Sequence, residues 1–470
     1  MDLLLFNFQK QTYLSKVEGT GKSLMEISSY IPNLIANLIQ AGEPVFELKP
    51  GWIVPATVTQ IDTNSFAMLE IHGVKLRAII PADLNVGDKA NLLVTGKVNR
   101  GAIELKLVSR INVGTGGTQN LDMDEVLKVL DVPKTKDVRA LITELLDKGL
   151  PVRAEEIEEC AAIFKQFSVP NKLPIMSKMI ELGIPILPET FKAITTLASG
   201  SEFHELLENT IIPLQQVLDN SSQAGLSGKT LEYLQKLDNI INRLLAENEE
   251  PYNVAAKTDL LGVDYEQKVV QVIKRLGVKA ETSGELENQL HEEIGLSLKP
   301  LGLLLQEKTG EFNHVGLNKL SEGITALVNH ITAQQLITQA LQEKSGTVYR
   351  FFCVPAQVQG LRQTIQLQIL ARQGARRQTI DPGNCYILIH LDLCRLGELD
   401  IHMNVTDKTV GIRLVSENPS EFSVFDEHGL KSGLQTAGFK LGSLSIEGLS
   451  KERVSILPSI ISQGKFDRKI

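Results

Sequence analysis

The stretch HLDLCRLGELDIHMNVTDKTVGIRLVS, residues 390–416, alternates apolar and polar side chains almost without interruption. Leu391 and Leu393, then Leu399, Ile401, Met403 and Val405, then Val410, Ile412 and Leu414 take the apolar positions. His390, Asp392 and Cys394, followed by Glu398, Asp400 and His402, fall between them. Successive side chains of a strand point to opposite faces, so the pattern predicts strands with one buried face and one wet face. A two-residue turn at Asp407 and Lys408 sets Val405 against Val410, Met403 against Ile412 and Ile401 against Leu414. Apolar residues then meet apolar residues across the hairpin, and His402 stands opposite Arg413 on the wet face. Asp-Lys lacks the glycine that primed turns favour, so the pairing is better specified than the loop.

The same stretch admits a metal reading, because His390, Asp392 and Cys394 share a face and all three are zinc ligand types. Alternate strand residues stand about 6.5–7 Å apart, and a solvated sheet face produces the same polar spacing with no metal. A second sharp reading lies in GTGKS, residues 19–23, which ends like a phosphate-binding loop but carries Lys16 where the first glycine belongs. Its bland reading is a turn capping a helix. No metal, nucleotide or other cofactor is assigned. Nucleophile motifs and H-E-x-x-H are absent, and His72, His204, His291, His314, His330 and His428 are scattered, so the expectation is a protein that is not an enzyme.

Working outward, TVYRFFCV, TIQLQILA and CYILIHLDL read as further strands, a helix is expected at about 419–437, and LGSLSIEG as a last strand. Together they predict a sandwich-like α/β domain over 346–457, with a mostly antiparallel sheet and one main helix, followed by a tail over 458–470. Upstream, Leu24, Ile27, Ile31, Leu34 and Leu38 have helical spacing around Pro32, giving a helical arm over 1–46. Short β-rich runs between turn signals then predict a small β-barrel over 47–110, of the oligonucleotide-binding or SH3-like kind. NVGTGGTQN marks a linker at 111–120.

Residues 121–345 read as helical, with expected helices near 202–219, 227–248, 264–276, 285–307 and 314–343. DKGLPVRAEEIEE (147–159) and ELGIPILPETFKA (181–193) repeat at an offset of 34 residues, matching Gly149 with Gly183, Pro151 with Pro185 and Ile157 with Phe191. Glycine ending one helix and proline before the next is the punctuation of a helix hairpin. Leu317, Leu320, Ile324, Leu327 and Ile331 form a packing seam on the last helix. The fold class is therefore a multidomain α+β chain.

At 470 residues and 43% hydrophobic, the chain can bury several cores. Its net charge of −8 offers no general attraction to nucleic acid or an anionic membrane. Residues 50–110 hold seven Lys/Arg against five Asp/Glu and only Trp52 and Phe66 as aromatics, a poor match to a basic, ring-lined nucleic-acid groove. No run reaches the roughly 18 apolar residues of a membrane span. The N-terminus lacks the basic region of a secretory signal, and Cys160, Cys353, Cys385 and Cys394 show no C-x-x-C pairing, so a cytoplasmic location is expected.

Leu391, Leu393, Leu396, Gly397, Leu399 and Ile401, then Val410, Ile412 and Leu414, then Leu430, Leu434, Gly438 and Leu441 carry a resemblance to the C-terminal domain of the flagellar hook-length control protein family. The match is clear over about 385–448 and, for Gram-positive members, looser from about 255 through LLGVDYEQKV and FFCVPAQVQG. The resemblance implies a protein that switches the flagellar type III export apparatus from hook to filament subunits by contact with the cytoplasmic domain of the export gate. Hook or hook-cap subunits are further partners it implies, and passage through the flagellar export pathway a further location. Better-known members carry a Pro/Gln/Ser-rich extended ruler where this chain has barrel and helices. The partner-binding residues expected on this basis are Leu396 and Gly397 at the corner, with Glu398, Asp400, His402 and Arg413 on the polar face. The alternative is a nucleic-acid-binding protein acting through the barrel at 47–110.

Overall fold

The computed structural model describes residues 48–62, 66–71, 74–79, 84–97, 103–111, 118–119, 123–220, 226–246, 253–276, 297–308, 315–345, 348–358, 360–373, 380–393, 397–424 and 426–448. The expected N-terminal arm, GTGKS, Cys394, Leu396 and the tail over 458–470 lie outside them. The chain is mixed α/β and divides between Ser199 and Gly200 into two compact units.

The first unit opens with a closed barrel of β1 (Ile53–Ile61), β2 (Phe66–Ile71), β3 (Val74–Ile79), β4 (Lys89–Lys97) and β5 (Ile103–Ile111). β1 pairs antiparallel with β2 and β4, β2 with β3, and β4 with β5. A parallel contact, Ala78 with Ile103, closes the ring. Alternation explains the shape: Val54, Ala56 and Val58, then Leu69 and Ile71, then Ala90, Leu92 and Val94 turn inward into one buried cluster. Two residues of the expected linker, Thr118–Gln119, form a short β6 against Arg110 and Ile111.

Five helices follow: α1 (Met123–Leu130), α2 (Lys136–Asp147), α3 (Ala154–Gln166), α4 (Lys172–Leu182) and α5 (Pro188–Ala198). The repeat maps α2 and α3 onto α4 and α5. Gly149 and Gly183 both adopt a left-handed conformation, φ +65° and +73°. The residue after each closes the helix by donating to a carbonyl five positions back, Leu150 to Leu145 at 2.8 Å and Ile184 to Met179 at 2.9 Å. This is a Schellman end, which glycine permits without the Cβ clash. Ile157 and Phe191, equivalent in the repeat, are both fully buried. Ile53 and Val152 exchange backbone hydrogen bonds of 3.0 and 2.8 Å, fastening the barrel to the first hairpin.

The second unit contains α6 (Phe203–Asp219), α7 (Gly228–Leu245), α8 (Val254–Leu261), α9 (Tyr265–Leu276), α10 (Leu298–Glu307) and α11 (Val315–Ser345). The expected helix at 285–307 is described only from Leu298. The short α8 was not expected from periodicity; Asn253 starts it by accepting from the Ala256 N–H at 3.0 Å. All five seam residues of α11 are buried. Lys299 of α10 is also fully buried, its amine donating to Glu266 and Gln335, while Gln335 donates to the Val263 carbonyl at 2.8 Å.

A six-stranded sheet completes this unit, ordered β12-β11-β10-β9-β8-β7: β7 (Val348–Val358), β8 (Leu361–Gln373), β9 (Ile380–Leu393), β10 (Gly397–Thr406), β11 (Thr409–Ser416) and β12 (Lys440–Gly448). The β10–β11 hairpin has the expected register, including Val405 on Val410, Ile401 on Leu414 and His402 on Arg413. Asp407 and Lys408 both have positive φ, +48° and +61°, as a primed turn requires. Neighbouring chain holds them there: the Asp407 N–H donates to Asn384 Oδ1 at 3.2 Å and that of Lys408 to the Gly383 carbonyl at 3.3 Å.

The single helix expected over 419–437 is instead a 3-10 segment, Pro419–Val424, and then α12 (Glu427–Thr436). Asp426 restarts the helix by accepting from the Gly429 N–H at 2.9 Å. α12 provides the crossover that lets β12 lie parallel to β11. At the far edge, α11 covers β7: the Cys353 N–H donates to Gln334 Oε1 at 2.9 Å and the Phe351 N–H to Thr338 Oγ1 at 3.0 Å.

Candidate functional site

Gly397 begins β10 with φ +63°, and a Cβ placed there would lie 2.1 Å from Glu417 Oε2. The positive φ calls for glycine at the corner, and a larger residue would also have to displace the Glu417 side chain. Across it Gly397 pairs with Leu393, so β9 and β10 run antiparallel on either side of residues 394–396. Glu417 returns at the end of β11, where its N–H donates to the Glu398 carbonyl at 3.2 Å.

The polar face is built from cross-strand pairs. His390 lies opposite Asp400, Asp392 opposite Glu398, and His402 opposite Arg413. His390 Nδ1 is 2.8 Å from Asp400 Oδ1, and Tyr386 Oη is 2.5 Å from His402 Nδ1. Arg413 approaches Glu447 of β12 at 3.8 Å, both side chains half exposed. Asp400 is only 7% exposed, so this face is drier than alternation alone implied. Long side chains on adjacent strands shield one another.

Burial holds His402 below the ordinary imidazole value, with Arg413 adding to the effect and Asp400 and Glu447 opposing it. Burial raises the Tyr386 phenol, with Arg413 opposing and Asp400 adding. At neutral pH His402 is therefore neutral, and its Nδ1 shares a hydrogen bond with the Tyr386 hydroxyl. The pair fixes both rings, and the charge presented outward is carried by Arg413, Glu447, Glu398 and Asp392. Among the described residues no group of three or more His, Cys, Asp or Glu is placed to hold a metal ion.

Of the six expected partner-binding residues, Glu398, Asp400, His402 and Arg413 share this face, Gly397 forms its corner, and Leu396 lies outside the described residues. Tyr386 was missed. The signal was available: it stands on the same alternation as His390 and Asp392, four positions earlier. No protein-family model, curated protein or solved structure matches the chain.

Proposed function

We propose that the chain is a non-enzymatic flagellar hook-length control protein whose C-terminal sheet contacts the cytoplasmic domain of the flagellar type III export gate and switches export specificity. The observation that carries this reading is a convergence. Leu391, Leu393, Leu399, Ile401, Val410, Ile412, Leu414, Leu430, Leu434 and Leu441, which carry the resemblance, belong to one hydrophobic cluster. The two resembling glycines sit where backbone demands them, Gly397 at φ +63° and Gly438 at φ +83° after α12. Hook or hook-cap subunits are secondary partners in this reading, and the site of action is the cytoplasmic mouth of the export apparatus.

The test is the paired charge reversal Glu398→Lys with Arg413→Glu. Arg413 is half exposed and Glu398 partly exposed, and surface charges of this kind contribute about 0–1 kcal/mol, so the melting temperature should fall by no more than a few degrees. Capture of the gate's cytoplasmic domain should weaken, and cells should carry over-long hooks with few filaments. Normal filaments on normal hooks, at wild-type protein levels, would remove this face from the mechanism.

A barrel that binds single-stranded nucleic acid is the second reading. The closed five-stranded barrel supports it, since oligonucleotide-binding barrels have five strands. The rings argue the other way. Arg153 lies 4.8 Å and Lys49 5.9 Å from the Trp52 ring centre, and Arg77 4.3 Å from that of Phe66, so cations of the chain itself lie over both rings. A mobility shift with single-stranded DNA or RNA that is lost on Phe66→Ala would favour the barrel reading.

A further inference from the structure

The two edges of the six-stranded sheet are treated differently. β7 has α11 against its backbone, whereas β12 pairs with β11 on one side and, among the described residues, with no strand on the other. β12 is nine residues long, contains no proline and carries only Lys440 and Glu447 as charges. An open edge of that kind is a template for strand addition. The layer beside it is also incomplete: α12 has no fully buried residue, Leu441 and Leu444 are only partly covered, and Ile446 is 38% exposed.

We propose that the β12 edge pairs antiparallel with β12 of a second copy of this chain, joining two six-stranded sheets about a two-fold axis at Ser445. The strand's own alternation fits this occupant and fixes its register. The pairing with β11 puts Leu444 and Ile446 on the core side, opposite Ile412 and Leu414, and Ser443, Ser445 and Glu447 on the polar side. Centred on Ser445, the pairing sets Leu444 against the second copy's Ile446 and Ser443 against the second copy's Glu447. Every apolar residue then meets an apolar one on the same face, and the exposed Ile446 is covered. The two Glu447 carboxylates stand four residue steps apart, about 13 Å, so no like charges face each other. The β11–β12 register shift after Val410 confines the matched stretch to residues 442–448. An edge contact of that length falls below the roughly 1,200 Å² of a permanent interface, so the dimer is concentration-dependent. The inference is independent of the flagellar reading.

Cross-linking of the full chain tests the register. Residues on the axis have Cα atoms about 4.5–5.5 Å apart, within disulfide reach of about 4.4–6.8 Å. Ser445→Cys should give a reducible covalent dimer well above the wild-type background under the same oxidant. Ser443→Cys and Glu447→Cys should each fail alone, yet cross-link when mixed. In sedimentation velocity, Ile446→Lys should raise the concentration for half-dimerisation at least tenfold with an unchanged melt. A Ser445→Cys chain that dimerises no better than wild type, or a Ser443→Cys chain that cross-links equally well alone, overturns the proposal. A dimer formed only after removal of residues 451–470 also overturns it, assigning the edge to the chain's own tail.

Discussion

Replacing Lys299 by methionine tests whether the second unit is organised around a buried charge pair. Lys299 is fully buried and Glu266 is 7% exposed, and the amine donates to Glu266 Oε1 and Gln335 Oε1. Gln335 Nε2 in turn donates to Glu266 Oε2 at 2.5 Å, so both carboxylate oxygens are occupied. Burial lowers the Lys299 pKa, and Glu266 opposes that by its charge and hydrogen bond. Lys299→Met leaves a buried carboxylate with no countercharge, which costs about 3–5 kcal/mol. In a unit of this size that lowers the melting temperature by about 6–20 °C. The double variant Lys299→Met with Glu266→Gln removes both charges, and the introduced amide can donate to Gln335 Oε1. It should lie within about 1 kcal/mol of wild type, because removing a buried pair together is close to neutral. Far-UV circular dichroism follows the loss, while fluorescence of Trp52, the only tryptophan and a residue of the first unit, serves as internal control. A single variant costing under about 1 kcal/mol, or a double variant no better than the single, would refute the reasoning.

Two further outcomes follow from the structure. Burial lowers the His330 pKa to about 3, and its Nδ1 accepts from Gln334 at 3.0 Å, so folded His330 stays neutral while the unfolded chain protonates near 6.5. Stability of the second unit should fall as pH drops below about 6.5, by at most ~1.4 kcal/mol per pH unit from this group, and His330→Gln should flatten that limb in chemical denaturation. An unchanged acid limb would exclude His330 as its cause. In the first unit, Gly149→Ala and Gly183→Ala each meet no atom within 4 Å, so backbone conformation alone sets the cost at about 1–2 kcal/mol. Nearly equal losses in the Trp52-reported or circular dichroism melt are expected; a large loss at only one would show that the two hairpins are not equivalent.

The β10–β11 register was legible because two independent constraints agreed: alternation fixed the face of every residue, and the turn length fixed which residues met. The hairpin repeat was legible for a similar reason, since glycine and proline act locally and recur with the same offset. What failed to show were features set by partners distant in sequence. Lys299 reads as a surface lysine until Glu266 and Gln335, 33 and 36 residues away, are brought to it. The break before α12 depended on Asp426 out-competing helix continuation, a choice periodicity does not record. On the candidate face, sequence placed Glu398, Asp400, His402 and Arg413 together but not the contacts with His390 and Tyr386. Those required the third strand, β9, in register.

The distribution of the resembling residues also limits what the resemblance can argue. Leu391, Ile401, Ile412, Leu414 and Leu434 lie in or against the core, so their identities report how the sheet is held together. Substituting them would lower stability and binding at once, and the two causes could not be separated. Arg413 and Glu447 are different: their side chains are half exposed and meet each other only at 3.8 Å, so the fold depends little on either. They also lie on adjacent strands at the open side of the sheet, opposite in sign and close in space. A gate-binding role therefore requires the polar face to respond to reversed charge while the melt stays fixed. Self-association at β12 requires the reverse dependence, on Ile446 and strand register, with Arg413 dispensable. The two surfaces are adjacent and share Glu447, but their demands are separable: Ile446→Lys leaves Glu398, Arg413 and Glu447 in place, and the Glu398 and Arg413 reversals leave Ile446 and the β12 backbone in place.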